Sequence, residues 1–88
     1  MGIDNPYQEQ EGEVSNVVAT GSPFVIQNNQ ILSNQAIVIS GGTVTLIQIS
    51  RNGSDYFTVG LLSGQYILSP GDYLKITYAI APTITRFL

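Results

Sequence analysis

The chain has 88 residues, of which six are acidic and three basic, and it contains neither cysteine nor histidine. Disulfides and thiolate metal sites are therefore excluded, as are imidazole triads and nearly all zinc sites. A domain of this size buries only about 60–65% of the surface that its unfolded chain exposes. Because we expect no metal and no cofactor, we expect partner subunits to support the core. Only 10% of the residues are charged, which favours a surface largely covered by other protein.

The basic residues are too few and too scattered for a polyanionic partner. Arg51, Lys75 and Arg86 lie far apart in the sequence, whereas nucleic-acid binding requires clustered bases. The same shortage argues against anionic membrane surfaces, and no apolar run approaches the roughly 20 residues of a membrane span. The first ten residues lack the basic region of a signal peptide. We therefore expect synthesis in the cytoplasm, with no nucleic acid and no membrane as partner.

Residues 1–13 differ in character from the rest of the chain. Four of the six acids fall here: Asp4, Glu9, Glu11 and Glu13. The segment has almost no apolar periodicity, so we interpret it as an extended acidic N-terminal arm that precedes a β domain over residues 14–88. It is either a disordered tail or an arm that orders on a partner. In the second case Ile3, Pro6 and Tyr7 are its anchors.

From Val14 onward the composition is typical of short strands. Ile, Val and Thr dominate, and Gly, Asn, Ser or Pro interrupts them every six to twelve residues,. The predicted strands lie near residues 15–20, 23–27, 30–32, 35–40, 43–50, 55–60, 64–69, 72–80 and 83–87. No segment predicts a helix. The fold expected is all-β, a small antiparallel β-sandwich or barrel with an extended N-terminal arm.

The second half of the chain carries the clearest turn signals. Ser69-Pro70-Gly71-Asp72 predicts a type II turn, because proline fits its second position and glycine the positive φ of its third. Asn52-Gly53 predicts a hairpin. The strand that follows Asp72 alternates strictly between two faces, with Leu74, Ile76, Tyr78 and Ile80 on the apolar one,. Together these signals predict a four-stranded meander in this half.

Two predicted strands are apolar on both faces. In strand 35–40, Ile37 and Ile39 alternate with Ala36 and Val38. In strand 43–50 the phase of the apolar residues changes near Leu46, which indicates either a β-bulge or two buried faces. Two buried faces would imply a subunit contact. The residues predicted for that contact are Ile37, Ile39, Val44, Leu46, Ile47 and Ile49.

The sequence contains no motif for catalysis. Beyond the arm the only acids are Asp55 and Asp72, both beside turns, where aspartate commonly accepts bonds from nearby backbone N–H groups,. Ser63 has no histidine to activate it, and calcium-loop, P-loop and dinucleotide-binding motifs are missing. We therefore expect no enzyme. Tyr73, which alternation places opposite the apolar face, is a candidate glycan contact, although tyrosines of a small sheet are more often cross-strand packing pairs.

Residues 43–85 resemble a class of small β-rich virion proteins of tailed bacteriophages. The resemblance rests on Arg51-Asn52-Gly53, on Ser69-Pro70-Gly71-Asp72 with the strand after it, and on the closing Ala81–Thr85 segment. That class includes capsid decoration (cement) proteins, head fibres and the β modules of tail and neck fibres. It implies a non-enzymatic virion protein, assembled in the host cytoplasm, that attaches through an N-terminal arm.

The same resemblance implies the partners. The expected function is a capsid decoration protein that docks on the assembled shell, with the major capsid protein or another virion protein as partner. A homo-oligomer is expected, with a trimer favoured over a dimer. The alternative is a fibre, neck or tail-tip module that binds a host receptor or glycan.

Overall fold

The computed structural model describes residues 14–87, which form a sandwich of two four-stranded antiparallel sheets. The strands are β1 (Val14–Val17), β2 (Phe24–Gln27), β3 (Gln35–Ser40), β4 (Thr43–Ser50), β5 (Phe57–Thr58), β6 (Gly64–Leu68), β7 (Tyr73–Ile80) and β8 (Thr83–Phe87). Sheet A has the strand order β1-β8-β3-β6, and sheet B has the order β2-β7-β4-β5. The prediction of a small all-β antiparallel sandwich is confirmed. Among the described residues there is no helix with the length and apolar character of a membrane span.

Two short linkers carry the chain from one sheet to the other. Gly41-Gly42 connects β3 to β4, and Ala81-Pro82 connects β7 to β8. The linkers lie side by side, because Ser40 is paired with Thr83 and Thr43 with Ile80. Gly42 has a φ of +63°, and a Cβ atom there would lie 2.6 Å from the backbone oxygen of Ile80. This close approach requires glycine.

The core lies between the sheets and consists of aliphatic side chains and one tyrosine from the inner faces of both. Its members are Ile26, Ile37, Ile39, Ile47, Tyr66, Leu68, Leu74, Ile76 and Ile84. Ile37, Ile39 and Ile47 are at most 1% exposed. The prediction that these three residues form a subunit contact is therefore wrong, because the core of the same chain already covers their side chains.

A β-bulge explains the changing phase of β4. The register with β7 shifts on both sides of Val44, so that Val44 is paired with Tyr78 and Leu46 with Thr77. Thr45 is the additional residue, and its hydroxyl donates a hydrogen bond of 3.2 Å to the carbonyl oxygen of Thr77. Of the two explanations that the sequence left open, the bulge is the correct one.

The bulge also decides where the remaining interface candidates lie. Val44 and Ile49 pack against the core, so they too serve the sandwich itself. Leu46, paired with Thr77, lies on the outer face of sheet B and is half-buried. It alone among the six predicted interface residues faces outward.

The predicted meander in the C-terminal half is wrong. Strand β6 pairs with β3 in sheet A and leaves β4, β5 and β7 together in sheet B. The predicted turns themselves are present. Asp72 N donates to the carbonyl oxygen of Ser69 at 2.9 Å, and Gly71 has a φ of +86°, as a type II turn requires. Local turn signals therefore predicted the bends but not the sheet that the next strand joins.

The hairpin between β4 and β5 is present, with a loop longer than a two-residue turn. Asn52 Oδ1 accepts hydrogen bonds from the backbone N–H groups of Ser54 and Asp55, both at 2.8 Å. Ser50 Oγ accepts from the N–H groups of Asn52 and Gly53. These side-chain acceptors satisfy the loop backbone, so pairing starts only at Ile49 and Phe57,.

The segment 30–32 is a loop and not the predicted strand. Asn28 occupies the backbone groups that a partner strand would otherwise bind. Its Nδ2 donates to the carbonyl oxygens of Ser33 at 3.0 Å and Leu68 at 2.8 Å. Its Oδ1 accepts from the N–H of Gln30 at 2.8 Å. Because one buried side chain satisfies these groups, the loop leaves the sheet and carries its apolar residues into solvent.

Tyr66 is the one aromatic residue of the core, and its hydroxyl donates a hydrogen bond of 3.0 Å to the carbonyl oxygen of Ser63. Burial raises the pKa of this phenol. The folded state therefore favours the neutral form, and the resulting stability is present below the ordinary pKa of about 10 and is lost as the pH rises through the raised value.

We expect Tyr66→Phe to lose about 1 kcal/mol of stability at neutral pH with the hydrogen bond. In alkaline solution above pH ~10, the variant should lose stability less steeply than the unsubstituted chain, because it has no buried phenol to ionise. Urea midpoints measured across this range test both expectations. Parallel pH profiles for the two proteins would contradict the second.

Candidate interaction surface

The outer face of sheet A, here called the A face, presents two rows of side chains that cross all four strands. The first row is Val14, Phe87, Ala36 and Ile67, as the pairings of β1 with β8, β8 with β3 and β3 with β6 define it. The second row is Asn16, Thr85, Val38 and Gln65. The first row is apolar throughout, and three of its members are large side chains that remain exposed to solvent.

No charged side chain stands in either row of the A face. The outer face of sheet B differs, because Lys75 lies at its centre with its ammonium 3.9 Å from the centre of the Tyr56 ring. Around Lys75, Gln27 and Gln48 add polar groups. Apolar and uncharged polar groups can be covered by a partner without the desolvation cost of ions. The A face is therefore better suited to a protein contact than the outer face of sheet B.

A loop at one end of sheet A extends this apolar character. Ile31 and Leu32 are 85% and 93% exposed, although hydrogen bonds of the Asn28 side chain attach the loop to the rest of the domain. The Asn28 amide binds Ser33 on the C-terminal side of the pair, and it also binds Leu68, which follows Ile67 of the A face. The loop therefore lies at the same end of sheet A as the first, apolar row of the A face.

The buried carboxylate of the domain serves a turn. Asp72 is 3% exposed, and its Oδ2 accepts a hydrogen bond of 3.0 Å from the N–H of Ser69. Its Oδ1 lies 3.6 Å from the Nε atom of Arg51, whose own side chain is mostly exposed. Asp55 accepts instead from the side-chain amide of Asn52 at 2.9 Å. Each aspartate therefore accepts a hydrogen bond from within its own loop. The sequence predicts backbone N–H donors for both, and within the described part of the chain only Asp72 has one,.

Two further polar atoms are buried among the described residues. Gln35 Oε1 and Arg86 Nε are buried without a hydrogen-bond partner among residues 14–87. The two residues lie near each other because Arg86 is paired with Ile37, two positions beyond Gln35. Within the same residues, no group of three or more carboxylate, imidazole or thiol side chains is placed to hold a metal ion.

Of the residues predicted for arm docking and for glycan contact, the structure describes Tyr73 alone. Tyr73 lies on the outer face of sheet B and is half-buried, and a Cβ atom on Gly53 would lie 3.0 Å from its ring. Close packing of the loop at Gly53 thus covers part of the ring that a sugar would stack on. Ile3, Pro6 and Tyr7 lie outside the described residues.

The sequence reasoning missed the residues that form the A face. In the sequence, Ala36 and Val38 stand out only as the residues that alternate with Ile37 and Ile39, and no pattern singles out Phe87 or Ile67. The period-two pattern does carry this signal, since the positions that alternate with core isoleucines in β3 are apolar as well. No family model, curated protein or solved structure matches the chain.

Proposed function

We propose that this chain is a non-enzymatic virion structural protein, a capsid decoration subunit that docks on the assembled shell and stabilises it. The observation that carries the proposal is the A face, an open sheet surface with an apolar row and no charge. An exposed apolar surface of this kind marks a protein contact. The turn motifs and strands of residues 43–85 resemble those of small phage virion proteins. This resemblance indicates the class of partner, which is the major capsid protein or another virion protein.

Docking would act through the burial of the A face. Each Å² of apolar surface removed from water contributes roughly 25 cal/mol, and the uncharged second row adds hydrogen-bonding groups at low desolvation cost. A subunit that binds the assembled shell but not its separated proteins stabilises the shell by mass action. The acidic arm, with Ile3, Pro6 and Tyr7, would add a second attachment. This role places the protein in the virion.

The number of copies in purified virus particles tests this function. Particles from the virus that carries the gene are separated on a density gradient, and the chain is quantified against the major capsid protein. A decoration subunit is expected in a fixed ratio to the shell protein, with a copy number that scales with the number of shell subunits. A few copies per particle would indicate the fibre, neck or tail-tip module instead, and no copies would refute a virion role.

A matched pair of threonine variants tests the A face. Thr85→Lys places a charge at the centre of the A face, whereas Thr77→Lys places it on the outer face of sheet B. We expect Thr85→Lys to weaken binding to shells purified without this chain by at least tenfold, equivalent to about 1.4 kcal/mol, because docking would desolvate the ammonium. Thr77→Lys should bind normally. Equal loss in both variants, or loss in Thr77→Lys alone, would contradict docking through the A face.

A further inference from the structure

The loop between β4 and β5 contains the one Asn-Gly pair of the sequence, Asn52 and Gly53. The five other asparagines are followed by proline, valine, asparagine or glutamine. In an Asn-Gly pair the backbone nitrogen of the glycine can attack the preceding side-chain amide, because glycine has no Cβ atom to hinder the approach and its backbone adopts many conformations. This pair therefore has a chemical reactivity that is separate from its role in the hairpin.

The reaction needs no partner other than water, which reaches the exposed Asn52 side chain. The Gly53 nitrogen gives up its proton and forms a bond to Asn52 Cγ, the bond between Cγ and Nδ2 breaks, and ammonia leaves with that proton. Water then opens the cyclic succinimide at either carbonyl. One opening gives aspartate at position 52, and the other gives isoaspartate, in which the main chain runs through Cγ. Nothing is oxidised or reduced, and the product carries one additional negative charge.

The attacking nitrogen is engaged in the folded loop. Gly53 N donates a hydrogen bond of 2.9 Å to Ser50 Oγ, and Ser50 is only 1% exposed. The glycine has a φ of +79°, and a Cβ atom there would lie 3.0 Å from the ring of Tyr73. Attack on the amide would require the Gly53 peptide to leave the Ser50 hydroxyl, and the packing against Tyr73 restricts that movement.

The side-chain amide of Asn52 is held at both of its polar atoms. Its Oδ1 accepts hydrogen bonds from the N–H groups of Ser54 and Asp55 at 2.8 Å and from Ser50 Oγ at 3.1 Å. Its Nδ2 donates to Asp55 Oδ2 at 2.9 Å. Because all four bonds belong to one planar group, they must break together before the amide can turn toward the Gly53 nitrogen.

We propose that Asn52 is a deamidation site that the closed β4–β5 loop protects and that local opening of the loop exposes. The reaction rate is then the rate of the free chain multiplied by the fraction of molecules in which the loop is open. Exposed loops open at a lower free energy than the whole domain. The strand after the loop, β5, has only two residues, so the loop can open while the sandwich stays folded.

The modification would prevent the loop from closing again. Aspartate at position 52 has no Nδ2 donor and would place a second carboxylate beside Asp55 Oδ2, which now accepts from the Asn52 amide,. Isoaspartate adds a carbon to the main chain before Gly53 and so displaces its N–H from Ser50 Oγ. Both products lose hydrogen bonds that close the loop, so a molecule that has reacted once stays open.

Comparison of the folded and the unfolded chain tests the protection. The full chain is incubated in one mildly alkaline buffer with and without urea, and mass spectrometry follows aspartate and isoaspartate at position 52. We expect the folded chain to react at least about tenfold more slowly, as an open fraction of roughly a tenth or less requires. Equal rates would overturn the proposal. A faster reaction in the folded chain would also overturn it, because the N–H groups at Oδ1 would then act as an oxyanion hole.

Two serine variants test the hydrogen bonds of the loop. Ser50→Ala removes the acceptor of the Gly53 N–H and should accelerate deamidation of the folded chain by about fivefold or more. Ser54→Ala is the matched control, because Ser54 binds Asn52 through its backbone N–H, which alanine retains. Its rate should be unchanged. In urea both variants should react at the rate of the unsubstituted chain. Equal rates for the two folded variants would contradict protection by Ser50.

Asp55→Ala separates opening of the loop from loss of folding, since Ser50 is buried and its replacement could destabilise the whole domain. Asp55 is exposed, and its removal releases Asn52 Nδ2 without changing the core. We expect faster deamidation of the folded chain with an unchanged circular dichroism spectrum and urea midpoint. If neither Asp55→Ala nor Ser50→Ala accelerates the reaction, the proposal is refuted. These measurements use the isolated chain, so they do not depend on the proposed docking function.

Discussion

Gly42→Ala is expected to destabilise the domain by about 3–5 kcal/mol, because the added Cβ atom is unfavourable for two separate reasons. A φ of +63° is unfavourable for any residue with a Cβ atom,. In addition, the new methyl group would lie 2.6 Å and 2.7 Å from the backbone oxygens of Ile80 and Ala81. Backbone cannot rotate away as a side chain could, so the two linkers would have to separate and the ends of both sheets would shift.

The adjacent glycine provides the control. Gly41 has a similar φ of +73°, but a Cβ atom there would meet nothing within 4 Å. Gly41→Ala should therefore lower the free energy of unfolding only through the unfavourable positive φ, by about 1 kcal/mol. Urea denaturation of the two variants in parallel gives the difference. If both variants lost the same stability, the close approach of the linkers at Gly42 would be refuted.

Asn28→Asp should destabilise the domain by a similar amount, about 3–5 kcal/mol, although the change is isosteric. The Asn28 side chain is 1% exposed, and its amide donates to the carbonyl oxygens of Ser33 and Leu68. A carboxylate there has no hydrogen to donate and would bring negative charge against two carbonyl oxygens in a buried site. The loop 28–34 would lose its attachment to sheet A.

Asn29→Asp is the matched comparison, since it makes the same chemical change one residue later at an exposed position. Surface changes of this kind usually alter stability by less than about 0.5 kcal/mol. The midpoints of urea denaturation measure both variants. Proteolysis within the loop, followed over time, should accelerate in Asn28→Asp alone. A small effect of Asn28→Asp on both measurements would show that its hydrogen bonds contribute little.

The strands of the fold could be predicted where local pattern determines structure. Alternation placed Leu74 and Ile76 on the inner face, and Pro70 and Gly71 predicted the type II turn that the structure contains. Three strands, β3, β4 and β8, have the bounds that the sequence predicts. These features depend on residues that are neighbours in sequence, so the sequence alone was sufficient.

Pairing between distant strands could not be predicted in the same way. Nothing in β6 itself distinguishes a partner in sheet B from β3 in sheet A, and the choice depends on the whole sandwich. The Thr45 bulge was recognised as one of two alternatives, and only the register with β7 decided between them. The A face was missed because its apolar residues, such as Ala36 and Phe87, are far apart in sequence and meet only through that pairing.

The position of β8 has a consequence for the synthesis of the protein. β8 lies between β1 and β3, and β1 has no other hydrogen-bonded partner among residues 14–87. While the ribosome has not yet released residues 83–87, sheet A lacks an interior strand, and β1 has nothing to pair with. The A face can therefore appear only once residue 87 has left the exit tunnel. A chain that lacks residues 83–87 would have neither the interior strand of sheet A nor a partner for β1, so it could not form the two rows of the A face.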